Sequence, residues 1–307
     1  MLLLSGLLAV ALPGDAPPPD TAPVQAPFGS IVVAQQYRDA AYAEGMAARA
    51  AARKLLRLRG ICLTITDARR APSPWGTTTA DGWPIYPWHF GPGGPPSYIL
   101  RHEIGHDLFA RYLIPSTKLG QYGTDAPDWL DEMAAIAFEG AAQQRVRRAE
   151  AADLARTGRL PSLRDYLAMT HPELNATRSA DGASQAATSQ KTAGFYAMSR
   201  AFYDFLVART GKPDIVVEPA RAFRQGQDLQ IWLLKRMNQP SDGSGLDRLD
   251  AALGEWMSED ARYRLGLTPG TIVSVAADPK PQRHLTGRCR IDPRLRHYSF
   301  SRAGMKP

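Results

Sequence analysis

The apolar and polar positions divide this chain into unequal parts. Leu2 to Leu12 is an apolar run of 11 residues, interrupted only by Ser5 and Gly6. It is too short to cross a bilayer as a helix and has the length of an export-signal core. Small residues follow, so cleavage is expected after Ala11 or Ala16, with residues 1–16 as the signal peptide. The mature protein is then exported, periplasmic or secreted. Prolines at 17, 18, 19, 23 and 27 make 17–29 an extended spacer with little to bury. The folded domain is expected over 30–270, followed by a basic tail, 271–307.

Within that domain, Ser30 is placed to cap a helix running to about Leu58, with Ile31, Val32, Tyr42, Met46 and Leu55 among its apolar positions. Gly60 ends it. Residues 61–66 are rich in β-branched side chains and predict a strand. Trp75 to Phe90 is aromatic and broken by proline; Pro84 and Pro87 restrict any strand there to a sheet edge. Helical patterns follow over Ser97–Leu113, from a cap at Thr124 or Asp125, with Pro127 near the first turn, to about Arg156 with a break at Gly140, and over Thr192–Thr210. Between the last two, His171 to Thr192 is polar and irregular. Shorter helices are expected over Glu218–Arg224, Leu229–Met237, Leu246–Leu253 and Glu255–Leu265. The pattern predicts an α+β fold, mainly helical, with a small front sheet and a helical C-terminal half.

Composition narrows the function. Hydrophobic residues make up 44% and charged residues 22%, which fits a globular chain and excludes one with many membrane spans. No stable membrane span is expected. The net charge of +7 suggests a nucleic-acid partner, but its distribution argues against one: Lys280 to Pro307 carries eight Lys or Arg and one acid, leaving the body neutral overall. Cys62 and Cys289 exclude a zinc site made mainly of thiolates. They either form one disulfide in an oxidising compartment or remain separate buried thiols.

The chemistry centres on His102-Glu103-Ile104-Gly105-His106, an H-E-x-x-H pattern inside a helical segment. At about 100° per residue the two histidines lie roughly 40° apart on one face, so both imidazoles can reach one ion. Glu103 sits beside that face without taking a ligand position. A zinc hydrolase needs a third protein ligand and leaves a fourth position open. The metzincin extension needs Gly and His where this chain has Phe109 and Tyr112, so it is absent. A following helix offers the alternative. Trp129, Glu132 and Ile136 fall at i, i+3 and i+7 on a stripe otherwise apolar, where a carboxylate is costly to bury without a cationic partner. Glu132 is therefore the expected third ligand of one Zn2+ per chain. Asp131, about 100° away, is expected to be solvated.

His102-Glu103-Ile104-Gly105-His106 together with Pro127-x-Trp129-Leu130-x-Glu132 resembles the gluzincin zinc metallopeptidases. It is most similar to a small bacterial peptidase branch whose second motif reads P-x-W-L-x-E-G; Met133 stands here in place of that glycine. Tyr196-Ala197-Met198-Ser199 resembles the family's later Y-x-x-[GS] helix, whose tyrosine binds the oxyanion in aminopeptidase-type members. The G-x-M-E-N motif of those aminopeptidases is missing, so trimming of amino termini is not implied.

The resemblance and the residues lead to one expected mechanism. Zinc held by His102, His106 and Glu132 activates water and polarises a peptide carbonyl of a peptide or protein substrate. Glu103 acts as general base, and Tyr196 steadies the oxyanion. Tyr203, seven residues on, shares the helix face with Tyr196, so packing of both is the competing expectation. His171 is a second oxyanion candidate. Trp75, Trp83 and Trp88 either line a substrate groove or anchor a proline-rich loop. A different class of function stays open at this level: an idle, zinc-stabilised peptide-binding or scaffold protein.

Overall fold

Gly29 decides how the chain enters its fold. It adopts φ +133, a conformation open to glycine, and a Cβ there would lie 2.0 Å from the Leu63 carbonyl oxygen. Its neighbours can therefore form strands rather than a helix. In the computed structural model, which describes residues 22–67, 84–88, 97–114, 125–170, 182–264 and 289, strand β1 (Val24–Ala26) turns through Pro27 and Phe28 into β2 (Gly29–Val32). This corrects two expectations. The spacer over 17–29 supplies a strand, and the helix expected from Ser30 starts at Arg38. Ile31, Val32 and Val33 are β-branched and favour the sheet.

Helix α1 (Arg38–Leu55) buries Ala41, Gly45, Ala48, Ala52 and Leu55 along one face. Small residues let the sheet hairpin approach closely: a Cβ at Gly45 would stand 2.1 Å from the Phe28 ring. Strand β3 (Leu63–Asp67) pairs parallel with β2, and β4 (Ile85–Trp88) pairs parallel with β3. Among the described residues the order is β1-β2-β3-β4, so the sheet is mixed and β4 lies at its edge, where its prolines are tolerated. Ser30 and Thr64 share a hydrogen bond of 2.7 Å between adjacent strands.

The rest is helical: α2 (Ser97–Tyr112), α3 (Asp128–Phe138), α4 (Ala141–Arg156), α5 (Leu163–Ala168), α6 (Gly182–Thr210), α7 (Val217–Arg224), α8 (Leu229–Arg236), α9 (Gly243–Glu259) and α10 (Ala261–Arg264). The break at Gly140 falls between α3 and α4. Helix α6 begins ten residues before the expected start, within the stretch read as irregular, and the two short C-terminal helices expected around residue 250 are one, α9. Helix α5 is an addition; Ser162 caps it by accepting from the Asp165 amide. No helix among the described residues is long and apolar enough to cross a membrane. Cys62 and Cys289 form a disulfide with Cα atoms 5.7 Å apart, which decides between the two cysteine alternatives. The expected signal peptide, Trp75, Trp83, His171 and the basic tail apart from Cys289 lie outside the described residues. Trp88 is 2% exposed and is an anchor of the sheet, not a groove wall.

Helix α3 lies between α2 and α6 and is buried from Trp129 to Phe138. Its C-terminal end is held by Arg200 of α6, whose Nη1 donates to the Ile136 carbonyl at 3.3 Å. Arg200 pairs with Asp204 one turn on. Asp204 also receives Arg148 Nε at 2.6 Å and the Tyr263 hydroxyl at 2.8 Å. Burial opposes ionisation of Asp204, but the guanidiniums of Arg200 and Arg148 outweigh it and hold the carboxyl below its ordinary range. The stabilisation is complete above the unfolded-state pKa of about 3.9 and is lost as pH falls through the lower folded value. Asp204→Asn should cost about 3 kcal/mol at neutral pH in urea unfolding. The gap from wild type should narrow from about pH 4 downward; a gap independent of pH would remove the ion pair from the account.

Candidate metal centre

Two helices build the centre. Helix α2 presents His102, Glu103 and His106, while Leu100, Ile104, Leu108 and Phe109 are buried in the core. Gly105 sets its distance from α3: a Cβ there would lie 2.8 Å from Ala135 Cα. The two backbones meet at this point, and Glu132, one turn before Ala135, comes into reach of both histidines.

The ligand atoms converge. His102 Nε2 and His106 Nε2 are 3.1 Å apart. Glu132 Oε1 lies 3.4 Å from His102 Nε2, and Oε2 lies 3.4 Å from His106 Nε2. Donors around a tetrahedral zinc with bonds near 2.0–2.1 Å stand about 3.3 Å from one another, so the spacing suits that ion. The structure thus brings together the three residues expected as ligands, and Glu132 is fully buried.

Behind the ligands stand two more acids. Asp131 Oδ1 lies 3.0 Å from His106 Nδ1, and Glu139 Oε1 lies 3.3 Å from His102 Nδ1. Each Nδ1 faces a carboxylate, which favours the tautomer that leaves Nε2 as the lone-pair donor. Asp131 is 2% exposed, so its expected solvated position is corrected. Leu130 and Asp131 are buried along with the stripe because α3 is enclosed on all sides, and His106 gives the acid its polar partner. Asp131 was legible only as an acid inside an apolar run. Glu139 stands seven residues after Glu132, just past the last residue of α3.

Charge also fits a cation. Asp131, Glu132 and Glu139, with Glu103 beside them, set four acids against one guanidinium, that of Arg147, 3.4 Å from Glu139. With neutral imidazoles, this excess of acids favours a bound cation. In the metal-free protein part of that role falls to His106: burial opposes its proton, but Asp131 and Glu132 outweigh burial and raise its pKa well above the ordinary value. Metal binding must displace that proton.

Glu103 is half-buried beside the ligands. Burial pushes its carboxyl above the usual carboxylate range, the two imidazoles pull it down, and Glu132 and Asp131 add to the rise. Tyr196, half-buried on α6, meets the His102 ring edge-on at 6.0 Å between centroids. Tyr203 points elsewhere, its hydroxyl donating to the Pro213 carbonyl at 2.7 Å. The two tyrosines therefore have different surroundings despite their shared helix. Compared with protein-family models, curated proteins and solved structures, the chain matches none.

The contact at Gly105 gives a test. Gly105→Ala should force α2 and α3 apart, lower stability by about 1–3 kcal/mol and weaken zinc binding about tenfold in chelator competition. Gly45→Ala, which crowds Phe28 instead, should lower stability without changing zinc affinity. Equal zinc affinity in both variants would separate the helix contact from the metal centre.

Proposed function

We propose that the protein is an exported zinc peptidase of gluzincin type that hydrolyses peptide bonds in a peptide or protein substrate. The observation that carries this is the convergence of His102 Nε2, His106 Nε2 and the buried Glu132 carboxylate, with Glu103 adjacent and outside the ligand set. Zinc, when bound, supplies a Lewis acid that polarises a carbonyl and acidifies water. Three protein donors suit a centre that keeps a position open for reaction, whereas structural zinc sites have four.

The residues divide the remaining work. Asp131 and Glu139 orient the two imidazoles. Glu103, with a carboxyl raised by burial, accepts a proton from the attacking water and delivers it to the leaving amine. Tyr196, against His102, donates its hydroxyl to the oxyanion as charge develops there. The disulfide supports export, since such bonds persist in oxidising compartments. A zinc-stabilised scaffold gives Glu103 no role.

Glu103→Gln decides the matter. The variant should keep one zinc and the wild-type circular dichroism, while hydrolysis of an unfolded protein substrate falls by about 10²–10⁴. Chelation should abolish wild-type hydrolysis and zinc should restore it. Near wild-type turnover by Glu103→Gln would rule out the general-base assignment.

A further inference from the structure

His102, Glu139, Arg147 and Tyr196 come from different stretches of the chain and close into a ring. Glu139 Oε1, 3.3 Å from His102 Nδ1, is also 3.4 Å from both Nε and Nη2 of Arg147. The Arg147 guanidinium carbon lies 4.5 Å from the centroid of the Tyr196 ring. Tyr196 in turn meets His102 edge-on, which returns the circuit to its start. The Glu139 side chain is fully buried and that of Arg147 is 16% exposed, so water competes little for these contacts. The backbone of Glu139 is held as well: its carbonyl accepts from Gln144 Nε2 at 2.7 Å.

We propose that Arg147 is a positioning residue that fixes His102, through Glu139, and Tyr196 at the same time. Glu139 by itself can meet an imidazole in several orientations. A planar guanidinium that approaches one of its oxygens through two nitrogens restricts it to one. The same guanidinium lies over the tyrosine ring, where cation–π attraction resists its rotation. Metal affinity and oxyanion stabilisation thus share one support. The Tyr196 arm rests on the peptidase function proposed above; the Glu139 arm rests on the metal centre alone. Arg147 also stands 3.8 Å from Glu150, an i,i+3 neighbour on α4. A purely structural role through that pair would leave zinc affinity and kcat both unchanged in a folded Arg147→Met.

The test combines zinc affinity, read by chelator competition on protein loaded with known metal, with steady-state kinetics. Arg147→Met should weaken zinc binding about tenfold. In a Glu139→Gln background the same change should weaken it by no more than about twofold further, because the effect passes through Glu139. With zinc saturating, Arg147→Met should lower kcat about tenfold with little change in KM, and this loss should vanish in a Tyr196→Phe background. Arg147→Lys should hold zinc within about threefold of wild type yet lose kcat about tenfold, since one ammonium cannot both pair with Glu139 and cover the ring. Wild-type zinc affinity in a folded Arg147→Met, or fully additive losses with Glu139→Gln, overturns the proposal. If Arg147→Met does not fold, Arg147→Lys carries the test, and parallel losses of affinity and kcat there overturn it. If the wild-type protein cleaves no peptide, the proposed function fails, while the zinc comparison still decides the Glu139 arm.

Discussion

A carboxylate taken out of water costs several kcal/mol unless a cation or hydrogen-bond donors meet it. Helix α3 buries two, Asp131 and Glu132, and a third, Glu139, caps its end. The partners that meet them define the centre. Two imidazoles face the acids through Nδ1 and turn their Nε2 atoms toward Glu132, and Arg147 meets Glu139 from the other side. What remains is an excess of carboxylates, which favours a cation at their centre.

That arrangement depends on packing elsewhere. Gly105 lets α2 lie against Ala135, and Arg200 holds the end of α3 through the Ile136 carbonyl. Arg200 is neutralised by Asp204, which also collects Arg148 and Tyr263. The position of Glu132 is thus supported by a buried ion cluster that grips its helix one turn further on. The front sheet contributes in another way. Tyr86 of β4 donates its hydroxyl to Asp107, the residue after His106, and Arg111 pairs with the same carboxylate at 2.7 Å. The edge strand and the histidine helix are joined through this carboxylate.

Much of the centre was legible in the sequence because helical periodicity is a local property. Histidines four residues apart share a face wherever the helix lies, and Glu132 among Trp129 and Ile136 declared a buried acid. The partners were not legible in the same way. Asp131 falls off the apolar stripe, and its burial follows from the enclosure of α3, a tertiary fact. Arg147 lies in a helix rich in arginine, with Arg145 and Arg148 as neighbours, and nothing local separates the one that reaches Glu139. In the fold, Ser30 looked like a helix cap, and the strand at Gly29–Val32 won because β3, far along the chain, offered it a partner. The edge placement of β4 was legible because proline lacks an N–H. Ile85 and Tyr86 could have belonged to a loop as easily without the pairing to β3.

The central claim is that His102, His106 and Glu132 hold one zinc ion. X-ray diffraction from crystals of the full chain, recorded on both sides of the zinc absorption edge, tests it most directly. The account predicts one anomalous peak per chain, about 2.0–2.2 Å from both Nε2 atoms and from a Glu132 oxygen. In zinc-supplemented protein, an absence of density at that point, or a peak held by other residues, would contradict it.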